Sequence, residues 1–350
     1  MKIKAPESVF VLRNNDLGDV LLTTPLLHGL RKAFPSSKIS IGVGDWAKDL
    51  LLNNPDVDQV HYVNAPWHNK QNCRYPANSP RTFLEGLLYV LLSKDVRILR
   101  KEAFSHGIDV LGSRQGSWLL LSACIPSRYG VKGYAGGHGW CKAHVDFRED
   151  RNVSQAALKF LGLMDANCDV EPRPKIFLSD EEIKWGERRW EENNAKGKRI
   201  VISPGSGFPE KNWGNEHYTA LAKMIADTTS HGVLIVGDAS DRDKIKLSGI
   251  VDEKHVKCLC GETSIRETAA IIRASNLTIT NSSVAMHIAA AFVVPTIVCL
   301  GKAYNSAKLH HSQWGYPEST VLGKETSIQN NELPTPLEIF EMVSSRLLYA

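Results

Sequence analysis

The 350-residue sequence predicts an α/β protein built from two doubly wound domains, each with its own parallel sheet. Short apolar runs alternate with segments of helical periodicity in both halves of the chain, which is the pattern of a parallel sheet covered by helices. Polar loops follow several of these runs, at the strand ends where such sheets bind ligands. The length also favours two domains, because a domain typically holds about 100–200 residues.

The first half of the chain alternates predicted strands with predicted helices. Apolar runs place the strands at 9–12, 38–43, 57–63 and 108–111. One helix is predicted from Val20 to near Phe34, and two more are predicted at 83–104 and 153–164. Two segments rich in polar residues, proline or glycine predict long loops, at 64–81 and 126–150, and the second is expected to be mobile.

The second half repeats the alternation after a domain boundary. The boundary is expected at residues 171–174, where two prolines separated by one residue disfavour regular structure. Beyond it, the sequence predicts helices at 180–192 and 336–348, and strands at 199–203, 233–236, 277–280 and 296–300. We therefore expect an N-terminal domain at 1–172, a second domain at 173–330 and a C-terminal helical segment at 331–350.

Composition and charge restrict the class of protein. No run approaches the roughly 18 apolar residues of a membrane span, and the N-terminus lacks the apolar stretch of a signal peptide. Seven scattered cysteines favour a reducing compartment, and the close pair Cys258 and Cys260 supplies too few ligands for zinc. We therefore expect a cytoplasmic protein, or one peripheral to the cytoplasmic face of a membrane. Its net charge of +4 suits an anionic substrate or surface.

The loop after the first predicted strand carries an acid. Residues 13–19 read Arg-Asn-Asn-Asp-Leu-Gly-Asp, and Gly18 lets the backbone approach a ligand closely. Asp19 thereby comes to the carboxyl end of a strand, where it can act as a general base. Aspartate is also favoured at helix N-caps, so the residues alone leave both interpretations open.

Three segments of the second half place small or polar residues directly after predicted strands. Residues 203–213 offer glycines, hydroxyls and Lys211, a combination suited to a diphosphate or to a plain turn. Residues 237–241 offer acids that can bind ribose hydroxyls or cap a helix. Residues 280–287 lead into a hydroxyl-rich helix start, a further anion site, where His287 can contact a phosphate or serve the core.

These segments occur in the order of a known family. The chain resembles glycosyltransferase family 9, the ADP-heptose:lipopolysaccharide heptosyltransferases, over roughly residues 8–325. The resemblance rests on the motifs LRNNDLGDVLLTTPLLHGLRKAFP, PGSGFPEKNW, VGDASDR, GETSIRETAAIIRASNLTITNSS and MHIAAAFVVPTIVCLG. It implies the GT-B fold, with two Rossmann-like domains facing a cleft and a C-terminal helix that packs back on the first domain. Residues 64–150 match poorly, as expected where the acceptor binds.

The resemblance implies an inverting glycosyltransferase that moves a heptose, or a related sugar, from ADP-heptose to a lipopolysaccharide core or similar glycan. Asp19 falls on the family's proposed general base, and Lys211 falls on the lysine that stabilises the departing diphosphate. Donor-binding roles are implied for Ser206, Gly207, Lys211, Asp241, Thr263, Ser282, Ser283 and His287. Acceptor-binding roles are implied for Arg13, Asn14 and Lys132. The positive charges of Arg13 and Lys132 suit an anionic glycolipid, although a solvated basic face explains them equally well.

One motif departs from the family. Where the family usually reads Asn-Asp-Ser-Gly-Pro-Met-His, residues 281–287 read Asn-Ser-Ser-Val-Ala-Met-His. Ser282 thus replaces an acid and Val284 replaces a glycine, which leaves the identity of the donor open. No metal is expected, because the GT-B resemblance implies metal independence and the Asp-x-Asp pairs at 56–58 and 241–243 supply too few ligands.

The sequence leaves three other functions open: a transferase of the same fold with another nucleotide sugar, a sugar-nucleotide epimerase and a non-catalytic nucleotide-sugar sensor. The Gly-Asp-Val sequence at 18–20 argues against the epimerase. A dinucleotide-dependent oxidoreductase is disfavoured, because no G-x-G-x-x-G follows the first predicted strand. Nucleic acid is not an expected partner.

Overall fold

The computed structural model describes residues 5–76, 79–166, 168–247, 255–328 and 332–348. The chain divides into two compact units, Met1–Phe177 and Leu178–Ala350. The division falls a few residues after the boundary expected at 172. The outer domain limits expected at residues 1, 330, 331 and 350 lie outside the described residues.

The first unit is built on a parallel six-stranded sheet with the order β3-β2-β1-β4-β5-β6. Helices cover both faces of this sheet, which explains why the central strand β1 reads as a continuous apolar run. Val9 and Val11 of β1 lie in one apolar cluster, and Phe10 and Leu12 lie in another. The strands are β1 (Ser8–Leu12), β2 (Lys38–Val43), β3 (Gln59–Tyr62), β4 (His106–Asp109), β5 (Ser127–Lys132) and β6 (Ala143–Asp146).

Two of the helices predicted for this unit are each divided in two. Pro25 lies in the first turn of α2 and has no N–H to continue the preceding helix, so the chain ends α1 and begins again. Ser93 has an extended backbone that ends α3, and its hydroxyl accepts from the Val96 N–H to cap α4. The helices are α1 (Leu17–Leu21), α2 (Thr24–Ala33), α3 (Pro80–Leu92), α4 (Lys94–Lys101), α5 (Arg114–Ser122) and α6 (Val153–Leu163), with short 3-10 helices at Asp45–Leu51 and His138–Trp140.

The prediction of a long loop at 126–150 is wrong. This segment contains β5 and β6, which extend the sheet from β4 to its edge. Glycines and basic residues made it resemble a loop, but pairing with β4 overrides those local preferences. In β6 only Val145 is buried while His144 and Asp146 face solvent, as is typical of an edge strand.

The second unit repeats the architecture of the first. Its parallel six-stranded sheet has the order β12-β11-β10-β7-β8-β9. The strands are β7 (Arg199–Ser203), β8 (Gly232–Ile235), β9 (Val256–Cys258), β10 (Leu277–Thr280), β11 (Thr296–Cys299) and β12 (Ser319–Leu322). The helices are α7 (Asp180–Glu191), α8 (Asn215–Thr228), α9 (Ala239–Leu247), α10 (Ile265–Arg273), α11 (Val284–Ala291), α12 (Ala307–Trp314) and α13 (Pro336–Leu348), with 3-10 turns at Pro209–Lys211 and Lys324–Thr326.

The C-terminal helix α13 belongs to the second unit. It packs against α8, and Ile339, Val343 and Leu347 lie in the main apolar cluster of this unit. The Trp213 indole N–H donates to the Pro334 carbonyl and thereby fixes the segment that leads into the helix. The apolar stripe of α13 completes the core of the second sheet, and the expectation that this helix also contacts the first domain stays a prediction.

Among the described residues, none of the helices has the length and apolar character needed to cross a bilayer.

Candidate active site

In each sheet, the strand order reverses beside the first strand. β2 and β4 flank β1 on opposite sides, and β8 and β10 flank β7 in the same way. Ligands of doubly wound sheets bind at such reversal points, outside the carboxyl ends of the strands. The segments that follow β1 and β4, and those that follow β7 and β10, are therefore the candidate sites of the two units.

In the first unit, the reversal point holds an ion pair. Asp19 lies in the first turn of α1, and its Oδ1 accepts a hydrogen bond from Arg13 Nη2 at 2.7 Å. The side chain of Arg13 is almost fully buried, whereas that of Asp19 is 28% exposed. The N-cap position is occupied by Asp16, so Asp19 does not cap the helix. Arg13 fixes the orientation of a carboxylate that remains open to solvent.

A second acid lies next to this pair. Asp109 ends β4, opposite Leu12 of β1, and is almost fully buried. Burial raises its pKa to about 7, although nearby backbone N–H groups and the positive charge of Arg13 act in the opposite direction. Space for the carboxyl exists because residue 116 is glycine, where a Cβ would lie 2.3 Å from Oδ2. Arg13 therefore interacts electrostatically with two acids, one buried and one accessible.

The residues predicted to bind the acceptor lie in different surroundings. Arg13 is engaged with Asp19, as described above. Asn14 is 2% exposed, and its amide donates to the Trp67 carbonyl at 3.3 Å, which holds the 64–72 segment against the β1–α1 loop. Lys132 is exposed at the end of β5, two strands away from β1 and thus about 10 Å across the sheet. The structure gives Asn14 a structural role and leaves Lys132 accessible.

In the second unit, Asn281 joins the segments at the reversal point. It follows β10 and is fully buried. Its Oδ1 accepts from the Trp213 N–H and the Tyr218 hydroxyl, both at 2.9 Å, and its Nδ2 donates to the Pro204 carbonyl and to Asn212 Oδ1. All hydrogen-bonding positions of the amide are used, so the segments after β7 and β10 are held in one arrangement.

Lys211 lies on the segment after β7, at the end of a 3-10 turn. Its ammonium is 5.0 Å from the centre of the Phe208 ring, and the side chain is half-buried. The backbone of this turn accepts hydrogen bonds from the N–H groups of Gly301 and Ala303. A side chain at 301 would collide with this backbone, since its Cβ would lie 2.4 Å from the Asn212 carbonyl oxygen. The position of Lys211 is therefore fixed by the loop after β11.

Ser282 is engaged with a buried histidine. Its hydroxyl lies 2.8 Å from Nε2 of His310 in α12. Burial, together with the nearby His287 and Lys211, lowers the pKa of His310 to about 3, so the ring is neutral at pH 7. His287 is buried in α11 with its ring 6.1 Å from that of Trp314. Ser282, which replaces the acid usual in the family, thus has a neutral partner.

The remaining small residues predicted for the donor lie at the carboxyl edge of the same sheet. Ser206 donates to the Phe208 carbonyl and so stabilises its own turn, next to the exposed Gly207. Ser283 is the N-cap residue of α11, but its side chain makes no capping hydrogen bond, and its hydroxyl pairs with Thr280 at 3.0 Å. The first turn of α11 therefore keeps N–H groups for a ligand.

Asp241 forms a reciprocal cap with Asp238. Oδ1 of Asp238 accepts from the Asp241 N–H at 3.0 Å, and Oδ2 of Asp241 accepts from the Asp238 N–H at 3.1 Å. Asp241 is 6% exposed, and burial together with the charge of Asp238 raises its pKa. Its carboxylate packs against Gly205 and Gly237, where a Cβ would collide with it. The structure thus gives it the capping role and places it between the loops after β7 and β8.

Thr263 lies on the loop after β9, next to the loop after β8. Its hydroxyl pairs with that of Thr268 at 2.9 Å, just before the capped start of α10. The N–H of Gly261 donates to the Gly237 carbonyl at 2.8 Å, and this bond joins the two loops. Gly261 has a φ of +71°, and a Cβ there would meet the Ala239 backbone, so the close approach requires glycine.

Both acids of the Asp-x-Asp pair in the first unit interact with other groups of the protein. Asp56 lies 3.1 Å from Nδ1 of His28, and Asp58 accepts from Arg31 and from the Ile39 N–H. Across the described ranges, no cluster of three or more histidine, cysteine, aspartate or glutamate side chains is arranged to hold a metal ion.

Three residues of these sites were not identified from the sequence. Asp109 carried a partial signal, an acid in an apolar run, but the predicted strand at 108–111 encloses it, whereas β4 ends at it. Asn281 lies within one of the family motifs, but nothing in the sequence indicates that its amide has four hydrogen-bond partners. His310 carried no signal, since it reaches Ser282 from 28 residues away in the chain.

Comparison with known proteins identifies the family. Residues 93–306 match the sequence model described as Glycosyltransferase family 9 (heptosyltransferase). Lipooligosaccharide heptosyltransferase 2 of Haemophilus influenzae is 26% identical over 307 residues, which cover 84% of this chain and 83% of that protein. Lipopolysaccharide heptosyltransferase 3 of Escherichia coli is 26% identical over 301 residues, which cover 81% and 79%.

A solved structure matches the fold. The ADP-heptose lipopolysaccharide heptosyltransferase II of Escherichia coli aligns with a TM-score of 0.74 at 20% identity, over 98% of this chain and 99% of that one. The predicted fold class, two doubly wound parallel sheets of GT-B type, is confirmed. The family match covers more than half of the sequence. The chain therefore belongs to glycosyltransferase family 9 and is a glycosyltransferase.

Proposed function

We propose that this protein transfers a heptose, or a related sugar, from ADP-heptose to a lipopolysaccharide core or a similar glycan, with inversion at the anomeric carbon. The relatives named above are heptosyltransferases, which supports the sugar and the acceptor. The single observation that carries the proposal is Asp19, an accessible carboxylate oriented by a buried arginine at the reversal point of the first sheet. A general base needs both this accessibility and a fixed position.

The reaction needs one proton acceptor and one site for a leaving diphosphate. The acceptor hydroxyl oxygen attacks the anomeric carbon while the bond from that carbon to the diphosphate oxygen breaks. Asp19 takes the hydroxyl proton, through the carboxylate oxygen that does not accept from Arg13. The products are the glycoside and ADP, and the negative charge that develops on the diphosphate is stabilised by Lys211.

The residues that we assign to donor binding lie along the carboxyl edge of the second sheet. Ser206 and Gly207, together with Ser282, Ser283 and the first turn of α11, bind the phosphates, and His287 supports that turn. Thr263 adjoins the adenine, and Asp241 shapes the pocket for the ribose from its capped position. Lys211 and the helix start supply the positive charge, so we propose that no metal ion takes part.

The acceptor we propose is an anionic glycolipid, recognised by cations on the first unit such as Lys132. Arg13 and Asn14 then contribute by positioning Asp19 and the 64–72 segment. A lipid-linked acceptor places the enzyme in the cytoplasm, peripheral to the inner membrane.

A second candidate is a transferase that uses another nucleotide sugar. It is favoured by Ser282, whose neutral hydrogen bond with His310 stands where the family usually has an acid. A neutral group at this position changes which sugar hydroxyls can be recognised.

The two candidates are separated by a thermal-shift panel of ADP, UDP, GDP and CMP, followed by a transfer assay with ADP-heptose. Selective stabilisation by ADP is expected, and Lys211→Ala should abolish it, whereas Lys223→Ala on the exposed face of α8 should not. Selective stabilisation by UDP or GDP would favour the second candidate. Stabilisation by ADP without any transfer of sugar would overturn the proposed activity.

A further inference from the structure

Helix α3 turns an apolar stripe to solvent. Leu84, Leu88, Leu91 and Leu92 are 55%, 47%, 60% and 64% exposed. Their spacing of four, three and one residues places them on one side of the helix. Another side of α3 is buried through Thr82, Gly86 and Val90. Residues 83–92 of this helix read FLEGLLYVLL, so apolar side chains lie on its exposed side as well as on its buried side.

Aromatic side chains extend this surface to the next elements. Phe83 contacts Trp118 of α5 edge to face at 5.7 Å between ring centres, and Trp118 contacts Trp140 in the same way at 6.1 Å. Trp140 is 48% exposed. We call Phe83, Leu84, Leu88, Leu91, Leu92 and Trp140 the leucine face. Contiguous exposed apolar surface of this kind marks an interaction site.

The surroundings of the leucine face are cationic. Residues 80–145 contain nine lysines and arginines but four acids, so their net charge of +5 exceeds the +4 of the whole chain. Three of those acids are engaged or buried: Glu102 pairs with Lys38, Asp95 accepts from the Tyr89 hydroxyl, and Asp109 is buried. The exposed cations of α3 and α4 are Arg81, Lys94, Arg97, Arg100 and Lys101.

We propose that the leucine face docks on a bilayer that contains anionic phospholipid. Helix α3 has 13 residues and is about 20 Å long, so it can lie in the plane of the interface with its leucines among the acyl chains. Tryptophan is enriched at the same depth, and lysines and arginines are attracted by the anionic headgroups. A protein partner would have to place acids opposite each of these cations, whereas an anionic bilayer presents negative charge along its whole surface.

The inference deepens the proposed function, on which its link to a lipid-linked acceptor rests. Docking brings the first unit, which carries Asp19, to the surface where such an acceptor would lie. Binding to a bilayer is nevertheless measurable without donor or acceptor, so the two proposals can fail separately.

The test is co-sedimentation of the full chain with vesicles of phosphatidylcholine alone, or with about one third phosphatidylglycerol and no glycolipid. We expect binding to the anionic vesicles that weakens as salt is raised. Replacing three leucines of the face with serine (L84S, L88S and L91S together) should weaken it by about tenfold or more. The matched control is serine at three exposed leucines elsewhere (L52S, L309S and L337S), which should leave binding unchanged.

A charge variant gives an independent readout. Lys94→Glu combined with Lys101→Glu should remove the preference for anionic vesicles, and its melting temperature should match the wild type because both side chains are exposed. The proposal is overturned if the wild type ignores anionic vesicles, or if the serine variant binds as well as its control. It is also overturned if the leucine face instead mediates a dimer that the serine variant abolishes. Transfer to a detergent-dispersed acceptor without vesicle binding would refute the docking alone.

Discussion

Arg13 is the residue on which the geometry of the first site depends. Its guanidinium is buried, bonded to the accessible Asp19 and attracted by the buried Asp109. A planar guanidinium holds a carboxylate in a fixed direction, which a flexible ammonium does less well. We therefore regard Arg13 as a positioning residue for the proposed base.

Replacing Arg13 should affect turnover more than binding. Arg13→Leu should lower kcat on the order of a hundredfold, because small displacements of a reacting group have effects of that size, while KM for the donor changes little. Arg13→Lys should recover part of the loss. Steady-state kinetics with varied donor concentration checks this, and an unchanged kcat in Arg13→Leu would remove the positioning role.

Asp109 should make the first unit less stable as pH rises. Its pKa of about 7 in the folded chain exceeds the value near 4 expected for unfolded aspartate, so the folded state retains a proton that the unfolded state has lost. The free energy of unfolding is therefore highest below pH 4 as far as this group is concerned, and it decreases as pH rises from 4 to 7. Above pH 7 the total decrease is up to about 4 kcal/mol.

The variant Asp109→Asn, which cannot ionise, isolates this effect. Denaturant unfolding at pH 5 and pH 7.5 should show a smaller decrease in the free energy of unfolding for Asp109→Asn than for the wild type. Equal decreases in the two proteins would mean that Asp109 already ionises below pH 5 in the folded chain.

Asn281 should matter for stability more than its position beside the predicted donor site suggests. Asn281→Ala leaves the Tyr218 hydroxyl and the Trp213 N–H without their buried acceptor, which we expect to cost about 2–4 kcal/mol in the free energy of unfolding. Tyr218→Phe removes one of these hydrogen bonds and should cost about 1 kcal/mol. Equilibrium denaturation measures both, and similar losses in the two variants would contradict the bridging role of Asn281.

At the scale of elements, the central strands were predictable, whereas of the four edge strands only β3 was. In β1, β2 and β7 every residue after the first is buried, all four residues of β10 are buried, and apolar side chains dominate these strands. β5, β6, β9 and β12 lie at or next to the sheet edges, where strands mix polar and apolar residues and local patterns resemble loops. Pairing with a neighbouring strand decides their structure, and pairing cannot be read from a local pattern.

The same distinction applies to the site. Asp19 and Lys211 lie within local motifs that single them out. The electrostatic interaction of Arg13 with Asp109 and the hydrogen bond of Ser282 with His310 arise only when separate elements become neighbours, so sequence periodicity gave no access to them.

The placement of helix α13 in the core of the second unit can be tested by comparing a buried with an exposed residue of the same helix. Ile339 is fully buried in the core of the second unit, whereas Leu337, two residues earlier, is 54% exposed. Ile339→Ala should lower the free energy of unfolding by about 2–5 kcal/mol, and Leu337→Ala by less than 1 kcal/mol. Chemical denaturation compares them, and comparable losses would contradict the placement of α13 in this core.

On the scale of the whole molecule, the two units present different groups on one architecture. Each presents the reversal point of a doubly wound sheet, and each fills it with residues from the strands on either side. The first supplies an oriented carboxylate, and the second supplies a lysine, hydroxyls and a helix start. The proposed base, Asp19, and the proposed diphosphate-binding lysine, Lys211, therefore reside on separate units, as expected when one unit activates a hydroxyl and the other holds a diphosphate.

The central claim is that Asp19 is the base of a sugar-transfer reaction. The most direct test measures transfer from ADP-heptose to a heptose-accepting lipopolysaccharide core by the wild type and by Asp19→Asn, with ADP binding measured in parallel. The account predicts transfer by the wild type, a loss of at least about a hundredfold in Asp19→Asn, and ADP binding that is unchanged. Equal transfer by both proteins would contradict the assignment of Asp19, and transfer by neither would contradict the proposed donor and acceptor.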